Sequence, residues 1–299
     1  DTKWNPPRPL LRAGLYWPGS QMPGLDTLKR EWKSDAPVAA ITFYRALVQA
    51  GTLAPVNALI EALEHRGVNA LPVYISSLKD PDSVETLTRL FEKVAPSIVL
   101  NTTGFAVSQP GAERCETAFD KLNCPVLQVI LGGSTRNAWQ ANVQGLLPKD
   151  LAMNVVLPEV DGRILSRAIS FKSEARYDAE TEISVAHREA APDRITFVAE
   201  MARNWIRLRE EPTASRRIAV ILANYPNKDG RLGNGVGLDT PASAIKLLNV
   251  LAKEGYAVTN IPEGGNALMR RLSIGPTNAL QYRHLRQGGV RVAQMDDQK

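Results

Sequence analysis

The feature that most constrains the fold of this chain is its spacing of apolar runs. Short runs rich in β-branched residues occur at positions 38–43, 71–75, 97–100 and 126–131, with helix-length segments between most of them. Strands spaced in this way pair in parallel, because a connection between parallel strands needs a dozen or more residues and is right-handed. The first crossover helix is expected at 55–66, stopped by Gly67, and the second after Asp80, with Pro81 in its first turn. An early strand at 13–17 is expected beside them. The reading is α/β: parallel-sheet domains of the Rossmann-like or flavodoxin-like kind, joined by a region with extended and helical segments.

Composition narrows function more than fold. The 299 residues fit about two ordinary domains; the expected divisions are a first α/β domain at 1–145, a connecting region at 146–212 and the start of a second α/β domain at 213–299. The chain begins at Asp1 without a Met, so a piece of a longer or processed protein is expected. With 44% hydrophobic and 22% charged residues, disordered, collagenous and coiled-coil classes are excluded. The longest apolar runs, such as 218–223, fall far short of the ~20 residues that span a bilayer, and no signal-peptide pattern occurs, so a cytoplasmic protein without membrane contact is expected. Cys115 and Cys124 form neither a disulfide framework nor a CxxC pair, and His65, His187 and His284 form no HExxH motif. The net charge of +5 is dispersed, which argues against nucleic acid and suits an anionic small ligand.

In a parallel sheet the loops after the strands emerge along one edge, where ligands bind near a reversal of strand order. Those loops carry Tyr44 and Arg45, then Ser76 to Lys79, then Asn101, Thr102, Thr103, Gly104 and Phe105, then Gly132, Gly133, Ser134 and Thr135. Taken singly, each is explained by helix capping and turns; together they make this edge the best cleft.

Further along, 151–157 and 164–171 read as two extended segments around the turn Pro158-Glu159-Val160-Asp161-Gly162-Arg163, ending at Lys172. A charged linker at 173–189 precedes a helix at 192–209, with Ile195, Val198, Met201, Ala202, Trp205 and Leu208 at helical spacing. A strand at 217–223 then leads into a long loop at 224–239 and a helix with Thr240 as N-cap and Pro241 at its first position, followed by a strand at 256–260. The loop's Gly233, Gly235 and Gly237 do not form GxGxxG, and no GxxxxGK[ST] occurs in the chain. A βα connection of this length, holding Asn224, Asp229, Arg231, Asn234 and Asp239, is expected to act as a ligand or catalytic lid. Arg231 could grip a carboxylate, and Asp229 or Asp239 could move protons or meet a metal.

The string NYPNKDGRLGNGVGLDTPAS at 224–243, followed by GYAVTNIPE at 255–263, resembles the large subunit of aerobic cobaltochelatase. So do VVLPEVDGRI at 155–164 with ISFK at 169–172, FYRALVQAG at 43–51, LPVYISSLKD at 71–80 and LNTTGFA at 100–106, in the family's order. The magnesium chelatase large subunit is similar too, but the GLDTPAS wording favours the cobalt branch. The resemblance covers roughly residues 8–278, and the tail at 279–299 departs from it.

The resemblance implies ATP-dependent insertion of Co²⁺, as substrate metal, into the corrin-type tetrapyrrole hydrogenobyrinic acid a,c-diamide during cobalamin biosynthesis. In that family the large subunit holds ring and metal. ATP and Mg²⁺ are used by two smaller partner subunits, one an AAA+ ATPase, in keeping with the missing phosphate loop. Family members are several times longer, so the remainder of the large subunit is an implied partner too. Insertion needs a base for pyrrolic protons, ligands that release a partly dehydrated metal, and cations for the ring's carboxylates. The expected roles are Glu159 and Asp161 as catalytic groups, with Glu159 and Asp239 on the metal. Arg45, Asn101, Thr102, Lys172, Asn224, Arg231 and Asn234 are expected on the ring. The alternatives are a non-catalytic tetrapyrrole-binding or ATPase-docking module and, on fold class alone, a periplasmic-type sugar- or nucleotide-binding domain pair.

Overall fold

The computed structural model describes residues 9–173, 176–180, 182–185, 187–223 and 232–274. A first compact unit ends at Arg209 and a second begins at Glu210. The strands, all in the first unit, are β1 (Ala13–Leu15), β2 (Val38–Tyr44), β3 (Asn69–Ile75), β4 (Ile98–Asn101), β5 (Val126–Thr135), β6 (Ile164–Lys172), β7 (Arg176–Asp178), β8 (Ile183–Val185) and β9 (Arg188–Ala190). Seven form one sheet in the order β1-β3-β2-β4-β5-β6-β9, while β7 and β8 pair separately. The five strands β3, β2, β4, β5 and β6 run parallel, and β1 and β9 close the sheet antiparallel at its two edges. Counted by chain position, the parallel strands lie in the order 2-1-3-4-5, so the direction of winding reverses between β2 and β4.

The period-2 alternation of the strands sorts side chains onto two cores. Ala39, Ile41 and Phe43 of β2, with Ile98 and Leu100 of β4, face α3 (Ala54–Glu64) and α8 (Pro192–Glu210), meeting Leu59, Leu63, Val198 and Ala202. Ala40, Leu71, Val73, Ile75 and Val99 face the other way, toward Leu28 of α1 (Leu25–Glu31) and Leu87 and Phe91 of α4 (Pro81–Val94). Every residue of β3 is buried, as expected of a strand covered on both faces. The α4 helix starts as its sequence dictates: Pro81 supplies the first helical φ, and the Asp80 carboxylate accepts from Ser83 N at 3.1 Å. A short α2 (Arg45–Gln49) follows β2 directly.

The stretch 146–209, set apart in the sequence as a connection, supplies β6, β9 and α8 to the first unit. The segment 151–157, expected to be extended, is helical instead. After α5 (Arg136–Ala141), α6 (Pro148–Leu151) continues through a π turn (Ala152–Val156) into α7 (Leu157–Val160). The inversion of its pattern explains the misreading. Its buried residues are Asp150, Asn154 and Pro158, at a helical spacing of four, whereas Leu151 and Val156 face solvent. A polar stripe faces inward, so no apolar helical period is visible in the sequence.

In the second unit, α9 (Thr240–Lys253) packs against α10 (Gly265–Ile274). The N-cap of α9 is Asp239 and not Thr240: the Asp239 carboxylate accepts from Ala242 N at 3.0 Å, and the helix starts at Thr240, one position earlier than expected. The stretches 217–223 and 256–260, expected as strands, have no ladder partner among the described residues. Without a neighbouring strand an apolar run cannot complete its backbone hydrogen bonds as sheet, and Ile218 and Ile221 are exposed. No helix among the described residues is long and apolar enough to cross a membrane.

Candidate functional site

Where the winding reverses between β2 and β4, the loops after the two strands diverge and leave a crevice at their carboxyl ends. A cleft of about 320 Å³ lies there, lined by Tyr44, Ser77, Lys79, Gly104, Phe105 and Gln109. The Tyr44 hydroxyl donates to Gly104 O at 3.2 Å, and burial pushes its phenol pKa up, so it is a neutral donor at physiological pH. Leu157 of α7 also lines the cleft.

Beneath the loop after β4 runs a buried polar network drawn from three strands, that loop and the turn before β6. Thr42 Oγ1 and Thr103 Oγ1 donate to Asn101 Oδ1 at 2.7 and 2.9 Å. Asn101 Nδ2 donates to Thr103 O and to Gln128 Oε1, each at 2.9 Å. Arg163 Nη1 reaches Thr103 O and Gln128 Oε1 at 3.3 Å, and its Nη2 donates to Asp161 Oδ2 at 2.8 Å. Asp161 in turn accepts from Val107 N at 2.7 Å and Ser108 N at 3.0 Å, so the acid of the PEVDG segment pins the far end of the same loop. The Asp161–Arg163 pair is withdrawn from solvent, each side chain being 1% exposed. Burial pushes the Asp161 carboxyl up, but the amides, the Ser108 hydroxyl and the guanidinium outweigh it and hold it below the usual carboxylate range. Burial also lowers the Arg163 pKa, against the pull of Asp161.

The π turn supplies the loop's third anchor. In a π turn an N–H bonds to the carbonyl five residues earlier, as Leu157 N does to Ala152 O. The next such donor falls at Pro158, which has no N–H, leaving Met153 O free; Phe105 N donates to it at 2.7 Å. Phe105 lies at φ 62°, in the left-handed region that a bulky residue rarely enters, while its side chain lies outside the core clusters and the residue is 49% exposed. Such backbone strain is of order 1–3 kcal/mol and persists only where the surroundings enforce it. Gly104 is required next to it, because a Cβ there would meet Asn154 Oδ1 at 2.9 Å and Met153 O at 3.0 Å. Gly104→Ala is accordingly expected to cost about 1–3 kcal/mol, seen as a lower thermal midpoint; an unchanged midpoint would show that the loop and the π turn are not packed in this way. Residues 132–135, expected as a loop, continue β5, and the Asp150 carboxylate accepts from Gly133 N at 2.7 Å, tying the end of that strand to α6.

The sequence-predicted residues therefore divide. Asn101 and Thr102 sit at the carboxyl end of β4 but face the interior: Asn101 is wholly buried in the network, and Thr102 Oγ1 donates to Thr42 O at 3.0 Å. Arg45 spends its guanidinium on Leu10 O and Leu11 O, at 2.9 Å each. Asp161 has both oxygens engaged and buried, so its observed work is holding the loop. Glu159 is exposed on α7, and Lys172 is exposed at the end of β6. Asn234 and Asp239 belong to the second unit, whereas Asn224, Arg231 and Asp229 lie outside the described residues. Among the described residues no three His, Cys, Asp or Glu side chains are grouped to hold a metal ion, and neither Glu159 nor Asp239 belongs to such a group. Sequence reasoning places Lys79 and Phe105 in the loops of the ligand edge but gives neither a role, and it passes over Gln128 and Arg163. Of the last two, only Arg163, a charge directly after Asp161-Gly162, carries a visible signal.

A larger cavity, about 500 Å³, is lined by Arg114, Asp120, Cys124, Val126, Arg163 and Ile164, at the amino ends of β5 and β6. Its arginines are already paired, Arg114 with Asp120 and Arg163 with Asp161, and burial pushes the Cys124 thiol up to about 11, leaving no thiolate at neutral pH. The smaller cleft at the reversal is the better placed for a ligand.

A parallel sheet in the order 2-1-3-4-5, with a cleft at its reversal, defines a flavodoxin-like α/β domain. The sequence pattern of the CobN/Magnesium Chelatase family matches residues 1–298, and the chain belongs to that family. The match takes in the tail from 279, which the sequence reading had set aside. The chain is similar to the aerobic cobaltochelatase subunit CobN of Sinorhizobium sp, with 51% identity over 292 residues, covering 94% of this chain and 23% of the relative. It is 41% identical over 286 residues to the subunit of the same name from Pseudomonas aeruginosa, covering 96% of this chain and 23% of the relative. Among solved structures, the catalytic subunit of cobaltochelatase from Mycobacterium tuberculosis superposes with a TM-score of 0.72 at 31% identity, covering 91% of this chain and 22% of that one. The chain thus spans about a quarter of the length of the curated relatives it matches.

Proposed function

We propose that this chain is the part of a cobaltochelatase large subunit that seats one edge of a corrin-type ring, with Co²⁺ as the substrate metal. The observation that carries this reading is the 51% identity to a cobaltochelatase subunit along nearly the whole chain. The cleft supports it. Its walls combine an aromatic ring, a lysine ammonium and the Ser77 hydroxyl, a set suited to a flat apolar body with carboxylates at its rim. At about 320 Å³ it holds an edge or one peripheral arm of such a ring and not the whole. Glu159, exposed on the helix whose Leu157 lines the cleft, is the proposed acceptor of a proton displaced as metal enters. ATP hydrolysis, with Mg²⁺, falls to two smaller subunits, one an AAA+ ATPase, and the rest of the large subunit completes the enclosure.

Titrating the chain with metal-free hydrogenobyrinic acid a,c-diamide, followed by quenching of tryptophan fluorescence, tests the reading. Saturable quenching is expected, and Glu159→Gln should leave the affinity unchanged because that carboxylate is assigned to proton transfer. An absence of saturable binding by the unaltered chain would overturn the proposal.

A further inference from the structure

We infer that Phe105 is a stacking platform for the flat face of the bound ring and that Lys79, across the same cleft, receives one of its peripheral carboxylates; this rests on the reading just given. The argument starts from the strain. Phe105 belongs to none of the core clusters, so packing does not explain why a phenylalanine occupies a backbone conformation that glycine or asparagine would adopt more easily. Yet the loop is held from three sides: Met153 O on the Phe105 amide, Asp161 on the amides of Val107 and Ser108, and the Asn101 network below Thr103. A loop fixed this firmly, displaying a half-exposed aromatic ring at the mouth of a cleft, is preorganised for contact with something flat. The ring's quadrupole and apolar face suit an offset stack on a conjugated macrocycle.

Lys79 gives the second contact its chemistry. It is exposed on the loop after β3, lines the same cleft, and is joined to no acidic side chain among the described residues. An ammonium with no acidic partner among the described residues, in the same cleft as an aromatic platform, selects a planar ligand that carries a carboxylate at its rim.

The experiment compares the unaltered chain with Phe105→Gly, Phe105→Tyr and Lys79→Gln, using metal-free hydrogenobyrinic acid a,c-diamide as the probe. Phe105→Gly removes the ring and the strain together, so the thermal midpoint should hold or rise while the affinity falls about 5- to 100-fold, the range of a lost stacking partner. Phe105→Tyr should bind within about 3-fold of the unaltered chain, because the stacking face survives. Lys79→Gln should weaken binding about 5- to 10-fold and flatten its dependence on salt. Unaltered affinity in Phe105→Gly, or an equal loss in Phe105→Tyr, would overturn the platform while leaving the proposed function standing. Failure of the unaltered chain to bind the probe would overturn both.

Discussion

Asp161→Ala is expected to lower the stability of the first unit by about 3–5 kcal/mol, the usual consequence of removing one partner from a buried ion pair. For a unit of this size that corresponds to a fall of roughly 6–20 °C in thermal midpoint. The loss has two sources. Arg163 is left buried with an uncompensated charge, and the amides of Val107 and Ser108 lose their acceptor. Calorimetry of the variant measures the effect, and a change below about 1 kcal/mol would mean that the pair is open to water. The sign of the pH dependence follows from the depressed carboxyl. A carboxylate whose folded pKa lies below its unfolded value of about 3.9 stabilises fully above that value and progressively less as pH falls through it toward the folded pKa. The stability gap between the unaltered chain and Asp161→Asn should therefore be widest near neutral pH and narrow below about pH 4. A gap that widened on acidification would contradict the assignment.

Asn101→Leu is expected to cost about 2–6 kcal/mol, because it leaves the buried hydroxyls of Thr42 and Thr103 without their shared acceptor, at about 1–3 kcal/mol each. The variant also separates two readings of this residue. If Asn101 faced ligand, its replacement would spare the thermal midpoint and weaken binding. The interior placement predicts a large fall in midpoint, and a fall in affinity only so far as the loop carrying Phe105 is released.

The sheet was legible in the sequence, because fully covered parallel strands such as Asn69–Ile75 appear as continuous apolar runs whatever lies around them. Helix starts were legible where local chemistry decides them, as at Asp80-Pro81. The helix around residue 154 was not. Asp150 and Asn154 turn inward because the backbones at Gly133, near the end of β5, and at Gly104, in the loop after β4, need partners and close approach, a demand created only when distant strands meet. The network was hidden for the same reason: Thr42 and Gln128 look like ordinary polar interruptions in apolar strands until the sheet order brings them beside Asn101. Glu159 and Asp161 lie two residues apart in one motif, yet one is exposed and the other buried, a difference set by the turn at Gly162 and by Arg163. The second-unit strands were misread because β-branched composition indicates a capacity to pair, and pairing also requires a neighbour.

The scatter of the network along the chain has a kinetic consequence. Its members extend from Thr42 to Arg163 and come from β2, β4, β5 and the turn before β6, so no local segment can preassemble it. Contacts of such long sequence separation form only after the intervening loops have closed. The walls of the cleft should accordingly be late to set during folding, well after the hydrogen bonds within α3 and α4. A nascent chain halted before Arg163 would own every residue that lines the cleft but lack the guanidinium that joins Asp161 to the network beneath the loop.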